Sequence, residues 1–325
     1  MTSEAIRAGG RVMQRQVVPP EERERNRKRA SRRNVGSALL FLSPWIVGFL
    51  VFTAWPMIYS AYLSLTDYDV INNPNFIGFE NYAQMMSDPK ILLALGNTAF
   101  FTLVQVPLYV IVSLVLALLL DRAGRSSGFF RTVFFLPKMT PPVAVGVLFL
   151  LLFNGQTGLV NTVLGWFGIN GPAWTTDPAW VKPGLIFMSL WTVGASVIIL
   201  LAALRNVPET LYESAKLDGA GFWRTSFSVT LPMISPALFF VIIVNTIAGL
   251  QTFDEAYTAF FGAGNTTYSN DAALFYVIYL FQQAFEFLHM GYASALAWGL
   301  FLVIMIVTAI QLIVSRRFVY YEGDR

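Results

Sequence analysis

Six long stretches of this chain contain no Asp, Glu, Lys or Arg, and this spacing constrains the fold more than any other feature. There are 33 such residues between Arg33 and Asp67, 30 between Lys90 and Asp121, and 38 between Lys138 and Asp177. Another 22 separate Lys182 from Arg205, 29 separate Arg224 from Asp254, and 29 separate Glu286 from Arg316. About 20 apolar residues cross a hydrocarbon core of roughly 30 Å as a helix. All six runs are long enough; the 14 residues from Ala272 to Phe285 are not. Only 13% of the 325 residues are charged, against about 25% in a soluble domain. That leaves too few ionisable side chains to cover a soluble surface of this size. With 55% hydrophobic residues and no Cys, the chain is neither disordered nor a disulfide scaffold.

Lipid offers no partner for backbone groups, so spans are helices or closed barrels. Barrel strands alternate apolar and polar residues; the runs here are solid, as in VIVSLVLALLL at 110–120. The pattern predicts an all-α membrane protein, a bundle of six transmembrane helices at about 37–64, 93–120, 133–153, 184–204, 235–257 and 293–315. A basic tail, 1–36, precedes them and a short tail, 316–325, follows.

The basic residues set the expected orientation. Ten lie in the first tail, including the run EERERNRKRASRR at 21–33. Arg122, Arg125 and Arg131 follow the second span; Arg205, Lys216 and Arg224 follow the fourth; Arg316, Arg317 and Arg325 follow the last. The opposite side holds Lys90 and Lys182. Basic loops stay cytoplasmic, so both termini are expected inside, as an even number of spans requires. The first tail is too long and polar for a secretory leader, so no cleavage is expected. Its charge suits anionic lipid headgroups, at about 1 kcal/mol per basic residue, rather than nucleic acid.

The connection RNVPETLYESAKLDGAGFWRTSFSVTLPMISP, 205–236, carries the most information. Pro208 suits a first helical turn, and Glu209 suits the positive end of a helix dipole. Leu211, Tyr212 and Ala215 share one face, and Asp218-Gly219 stops the helix, since Gly accepts the left-handed conformation there. A second segment places Trp223 and Phe227 four apart, before Pro232 and Pro236 break the chain. This predicts a helix–Gly–helix elbow with an apolar face in need of a partner.

On those residues the chain resembles a known family. Glu213, Ser214, Ala215, three residues, Gly219, nine residues, Val229, one residue, then Leu231-Pro232 match the spacing of the EAA motif. That motif marks permease subunits of bacterial binding-protein-dependent ABC importers. Ser214 replaces the motif's Ala and Val229 its Ile, both close in size. Asp218 and Ala220 beside Gly219 fit the carbohydrate-type branch. GFENYAQMM (78–86), FRTVFFLPKMTPPVAVGVLFLLLFN (130–154), TFDEAYTAF (252–260) and GYASALAW (291–298) are also similar to that branch, while FGAGNTTYSN (261–270) departs from its turn. The resemblance implies a type I importer permease fold of the MetI-like kind. It implies that 205–234 is a coupling loop docking into an ATPase subunit. Glu213 would make a charged contact there, Ala215 would allow close approach and Gly219 would make the turn.

Chemistry of its own is not expected. No Gly-Lys pair occurs, so there is no phosphate-cradling Walker A loop. A chain with one His and no Cys lacks the usual ligands of a zinc cluster. His289 reads as an interfacial residue at the start of the last span. The chain is expected to bind no cofactor and to rely on ATP-Mg held by a partner.

Polar groups inside spans are costly and point to function. The candidates for a substrate path are Asn245, Gln251, Asp254 and Tyr257 near the fifth span and Trp191 in the fourth. Amides suit hydroxyls, and aromatic faces suit the C–H side of a sugar ring. Thr192, Ser196, Thr246, Glu255, Asn97 and Gln105 are further polar groups at these spans, with Pro107 a kink in the second. Such groups also serve as interhelical bonds, worth about 0.6–2 kcal/mol each. Gly194 and Gly249 would let helices approach closely. The expected function is a sugar-importing permease subunit in a prokaryotic cytoplasmic membrane. Its partners would be a second, unlike permease, a dimeric ATP-binding subunit and an external solute-binding protein. The alternatives are import of glycerol phosphate, a polyamine or an amino acid, or ion-coupled transport by this chain alone.

Overall fold

The computed structural model describes residues 38–261 and 271–320. The basic tail 1–36, positions 262–270 of the FGAGNTTYSN segment and the final 321–325 lie outside the described residues. The chain divides into two compact units, Met1–Ser60 and Ala61–Arg325. Helix α1 (Ala38–Leu63), as far as Ser60, is the described part of the first. It widens to a π turn at Leu50–Ala54. Pro56 follows two residues later; it has no N–H for the carbonyl of Phe52, and its ring pushes that carbonyl aside. Trp45 and Phe49, one turn apart, stack at 5.7 Å.

In the second unit a two-residue antiparallel ladder, β1 (Thr66–Asp67) and β2 (Asn75–Phe76), precedes α2 (Glu80–Ser87). The long α3 (Pro89–Arg122) follows. Its start matches its sequence: Asp88 caps the Lys90 N–H at 2.9 Å, and Pro89 fills the first turn, where no donor is needed. The helix continues through Pro107 for 34 residues.

Next come α4 (Ser127–Phe135), α5 (Pro142–Leu152), α6 (Leu159–Trp166), α7 (Pro178–Ser189) and α8 (Gly194–Arg205). The third apolar run, read as a span at 133–153, is two helices meeting at 95°. Pro141 and Pro142 cause the corner: neither has an N–H to give, and Pro141 drives Thr140 to an extended ψ of 131°. The fourth run bends by 51° where Pro178–Thr192 meets α8. A Cβ on Gly194 would lie 2.1 Å from the Phe134 oxygen, so the bend sets α8 directly on the backbone of α4. α7 starts at Pro178, earlier than the uncharged run, where Asp177 caps the Ala179 N–H and Pro178 fills the first turn; Lys182 within it donates to the buried Asn97.

Then come α9 (Glu209–Leu217), α10 (Phe222–Thr225), α11 (Ser235–Leu250), α12 (Asp254–Phe260), α13 (Tyr276–Phe281) and α14 (Met290–Ser315). Pro232 does not break the chain. Helical structure runs from α10 through a π turn, Ser226–Thr230, and Leu231–Met233, pausing only at Ile234. The π turn absorbs Pro232 as the earlier one absorbs Pro56. α13 is a short segment, in keeping with the run too brief to span. Among the described residues four helices are long and apolar enough to cross a membrane, and up to six if each bent pair is one span.

Two clusters of buried side chains hold these helices. One gathers Phe101, Phe149, Leu185, Phe260, Phe275 and Leu296; the other gathers Val106, Tyr109, Val197, Leu200, Ile234 and Val241. α3 threads both. In lipid, tails are as apolar as Leu, so dense van der Waals packing and polar bonds hold such helices together rather than the hydrophobic effect.

Candidate functional site

Between the two clusters lies a cavity of about 320 Å³. α3 lines it with Phe101, Gln105 and Tyr109, spaced by four and therefore on one face. α7 and the turn after it contribute Leu185, Met188, Ser189 and Thr192. α11 contributes Asn245, Ala248 and Gly249. The break between α11 and α12 adds Gln251, Thr252 and Phe253, and α12 adds Asp254 and Glu255. The sequence placed Gln251 and Asp254 within one span. The structure ends α11 at Leu250 and starts α12 at Asp254, so the unwound turn turns polar groups toward the cavity. Lys138 also lines it.

Of the five residues proposed for a path, Asn245, Gln251 and Asp254 meet on this wall. Tyr257 and Trp191 are not in the lining. Tyr257 stacks on Phe253 at 5.0 Å and packs on Phe281 at 4.9 Å, and its hydroxyl donates to Glu286 Oε1 at 3.3 Å. Trp191 is exposed. Gln105, one of the further polar groups the sequence offered, lines the cavity together with Tyr109, which the sequence did not single out, because α7 and α11 pack around that face of α3.

The bonds that frame the cavity join distant parts of the chain. Asn245 donates to the Val241 oxygen at 2.8 Å and to Ser196 Oγ at 3.4 Å. Tyr109 donates to the Thr192 oxygen at 2.9 Å. Asn97 donates to the carbonyls of Asp271 and Leu274 at 2.7 and 3.0 Å and accepts from Lys182 Nζ at 2.6 Å. A Cβ on Gly249 would lie 3.0 Å from Thr102 Oγ1, so α11 and α3 touch there.

Beyond α3's first turn, Asp88 Oδ2 accepts from the hydroxyls of Tyr279 and Tyr292 at 2.5 and 2.9 Å. Burial pushes this carboxyl up, but the two hydroxyls and Lys90 outweigh it and hold the group below its usual value. Burial, then Asp88, pushes the Tyr279 hydroxyl up; burial raises Tyr276 to about 12. His289 precedes α14 and pairs through Nδ1 with Gln283 Oε1 at 3.0 Å.

The elbow is built differently. α9 buries no residue. It ends in two reciprocal bonds, Gly219 N–H to the Lys216 oxygen at 3.0 Å and Ala220 N–H to the Ala215 oxygen at 2.9 Å. This is a Schellman ending, and Gly219 takes φ = 70°. Nothing lies within 4 Å of a Cβ placed on it, so the glycine answers a backbone need and not crowding. Glu213, Ser214, Asp218 and Gly219 are exposed, as are Leu217 at 89% and Trp223 at 71%. Ser214 Oγ bonds back to the Thr210 oxygen at 2.9 Å. Trp223 and Phe227 stack at 6.3 Å. Leu231 and Pro232 lie at the other end, where Leu231 packs on the second cluster. The Arg122 guanidinium sits 4.5 Å over the Phe222 ring, and Arg205 meets Asp121 at 3.5 Å, so the end of α3 holds the elbow. Among the described residues no group of His, Cys, Asp and Glu could hold a metal ion.

An irregular break beside a polar cavity, within apolar helices, is an arrangement that membrane transport proteins use. Residues 109–320 match the family described as binding-protein-dependent transport system inner membrane component, and the chain belongs to that family. It is a multi-pass permease component of an ABC transport system and not an enzyme, as the sequence resemblance implied. The probable ABC transporter permease protein YesP of Bacillus subtilis (strain 168) is 36% identical over 300 residues, covering 91% of this chain and 96% of that protein. The lactose transport system permease protein LacF of Rhizobium radiobacter is 35% identical over 283 residues, covering 85% and 93%. A crystal structure of a bacterial alginate ABC transporter, in complex with an alginate pentasaccharide-bound periplasmic protein, contains a chain with TM-score 0.76 and 24% identity. The match covers 89% of this chain and 96% of that one and shows the shared fold.

Proposed function

We propose that the chain is one permease half of a bacterial importer for a sugar, driven by a separate ATP-binding subunit. The observation that carries this reading is the elbow. A short helix with no buried residue, stopped by Gly219 at φ = 70°, presents Glu213, Leu217 and Trp223 to whatever lies beyond the bundle. Ordered apolar groups left outside a folded chain call for a partner. The EAA spacing names that partner as the ATP-binding subunit, with ATP-Mg held there. Residues 213–220 would make the contact, and Leu231-Pro232 would root it in the bundle.

The sugar assignment draws on the lactose permease LacF and on the cavity. Carboxamides and hydroxyls at Gln105, Asn245, Gln251, Thr192 and Thr252 suit neutral hydroxyls, and Phe101 and Phe253 supply faces for ring C–H groups. A solute-binding protein would deliver the cargo to the outer side, and ATP-driven closure, relayed through the elbow and α3, would switch the cavity's access. One chain supplies one wall of such a path, so a second, unlike permease would complete it. The positive loops favour the cytoplasmic side of the prokaryotic inner membrane for both termini and the elbow.

The natural chain has no Cys, so single cysteines test this directly. Leu217→Cys should cross-link to the ATP-binding subunit, and Phe79→Cys, on the other side, should not. On intact spheroplasts a membrane-impermeant maleimide should label Phe79→Cys and spare Leu217→Cys. Labelling in the reverse sense would overturn the orientation, and absence of an ATP-binding adduct from Leu217→Cys would overturn the coupling role.

A further inference from the structure

We infer that Gln105 reads the cargo: its side-chain amide, left without a hydrogen-bond partner in the cavity wall, binds a sugar hydroxyl. This rests on the sugar reading above and adds the residue that carries it. Gln105 is 7% exposed, lines the cavity, and its Oε1 is fully buried with no partner. No hydrogen bond reaches the rest of its amide among the described residues. The large majority of buried side-chain polar atoms find a partner, so such an exception calls for a reason.

The neighbours on α3 sharpen the contrast. Thr98, Thr102 and Ser113 each bond the carbonyl four residues back, and Tyr109 reaches the Thr192 oxygen. Every other buried polar side chain along this stretch is satisfied without a cargo. Gln311 also carries an unpaired oxygen, but its nitrogen donates to Thr246 at 2.9 Å and it does not line the cavity.

The setting selects the ligand chemistry. A half-turn of the terminal bond exchanges the amide's oxygen and nitrogen, so Gln105 can offer the cavity an acceptor or a donor. A hydroxyl, which both donates and accepts, pairs with either. Phe101 one turn before and Tyr109 one turn after flank the amide on the same face, giving apolar walls on both sides. A neutral hydroxyl framed by C–H surface fits this arrangement, and a lone ion does not.

The test uses cells carrying the whole transport system with wild-type chain or Gln105→Met, which keeps the volume and removes the amide. Probes are radiolabelled lactose, maltotriose, arabinotriose and N,N′-diacetylchitobiose, with rates taken per assembled transporter. Uptake of the transported probe should fall by about 10- to 100-fold in the variant, as expected when hydrogen bonds to a cargo hydroxyl are lost. The purified variant assembly, free of cargo, should melt no lower than wild type, because no bond is removed. One mono-deoxy derivative of the transported probe should be penalised by wild type but not further by the variant. Uptake within about twofold of wild type, equal deoxy penalties in both chains, or a lower melting point would each overturn the role of Gln105 and leave the sugar reading in place. If wild type imports none of the probes, the sugar reading falls and this inference with it.

Discussion

The cavity and the elbow sit at different levels of the same chain's organisation. The elbow is local: Glu209 opens α9, Gly219 closes it, and the stopping bonds join residues three and five apart. The cavity is global: Asn97 reaches carbonyls at 271 and 274, Tyr109 reaches Thr192, and α11 leans on Thr102 through Gly249. The elbow leaves its side chains exposed, whereas the helices around the cavity are tied by buried, paired ones, with Gln105 the exception on α3. A local device can change its contacts without unfolding anything; a device of distant contacts fails when one partner is removed. Substitutions that remove one of these long-range contacts should therefore lower stability, and substitutions in the elbow should lower coupling while stability holds.

The largest effect is expected at Gly194→Ala. Its new methyl would meet the Phe134 backbone at 2.1 Å, and backbone cannot move aside as a flexible side chain can. A loss of about 3 kcal/mol or more is expected, measurable as reduced yield and melting temperature of the purified assembly. A variant as stable as wild type would mean that α4 and α8 are not held this closely.

Next comes Asn97→Leu. It strands two carbonyls and the Lys182 ammonium that Asn97 now pairs. About 2–3 kcal/mol should be lost, with hydrogen exchange rising around 271–274 in particular.

Asp88→Asn should be milder, about 1–2 kcal/mol, since an amide oxygen still accepts from one tyrosine. Its pH dependence is the sharper observable. The folded Asp88 carboxyl titrates below its usual value, so its stabilisation is complete above the unfolded pKa and disappears as pH falls through the folded one. The melting gap between wild type and variant should be constant from about pH 5 to 8 and close below about pH 4. A gap that widens on acidification would contradict the bonds from Tyr279 and Tyr292.

The smallest effect on stability is expected at Arg122→Ala, which removes the cation over Phe222 at the seam between α3 and the elbow. About 0.5–1 kcal/mol is at stake at an exposed site. The same variant should depress cargo-stimulated ATP hydrolysis more than it depresses melting, because it loosens the join rather than the bundle.

What was legible in the sequence follows the same division. Uncharged runs marked the apolar helices, and Pro208, Gly219 and Leu231-Pro232 marked the elbow, because capping, left-handed glycine and spacing are written within a few residues. The corner at Thr140–Pro142 was also locally encoded, but a continuous apolar run hid it. Pro232 looked like a break because a proline removes one bond; a π turn absorbs that loss without stopping the helix. Asn245, Gln251 and Asp254 could be singled out as polar groups near a span. Which face of α3 they would meet could not, since that depends on α7, α8 and α11 packing together. Tyr257 had the right chemistry for a sugar, but Phe253 and Phe281 draw it into an aromatic stack.

The central claim is that residues 205–234 couple this permease to an ATP-binding subunit. Its most direct test is affinity purification of the tagged chain from native membranes, wild type beside Gly219→Pro, with the co-purifying chains identified by mass spectrometry. Proline cannot adopt φ = 70° and removes the N–H that bonds Lys216, so the elbow is rebuilt while the bundle stays intact. Wild type should bring an ATP-binding subunit and a second permease, and the variant should keep the permease and lose the ATP-binding subunit. A wild-type chain that brings no ATP-binding subunit, or a variant that retains it in full, would contradict the account.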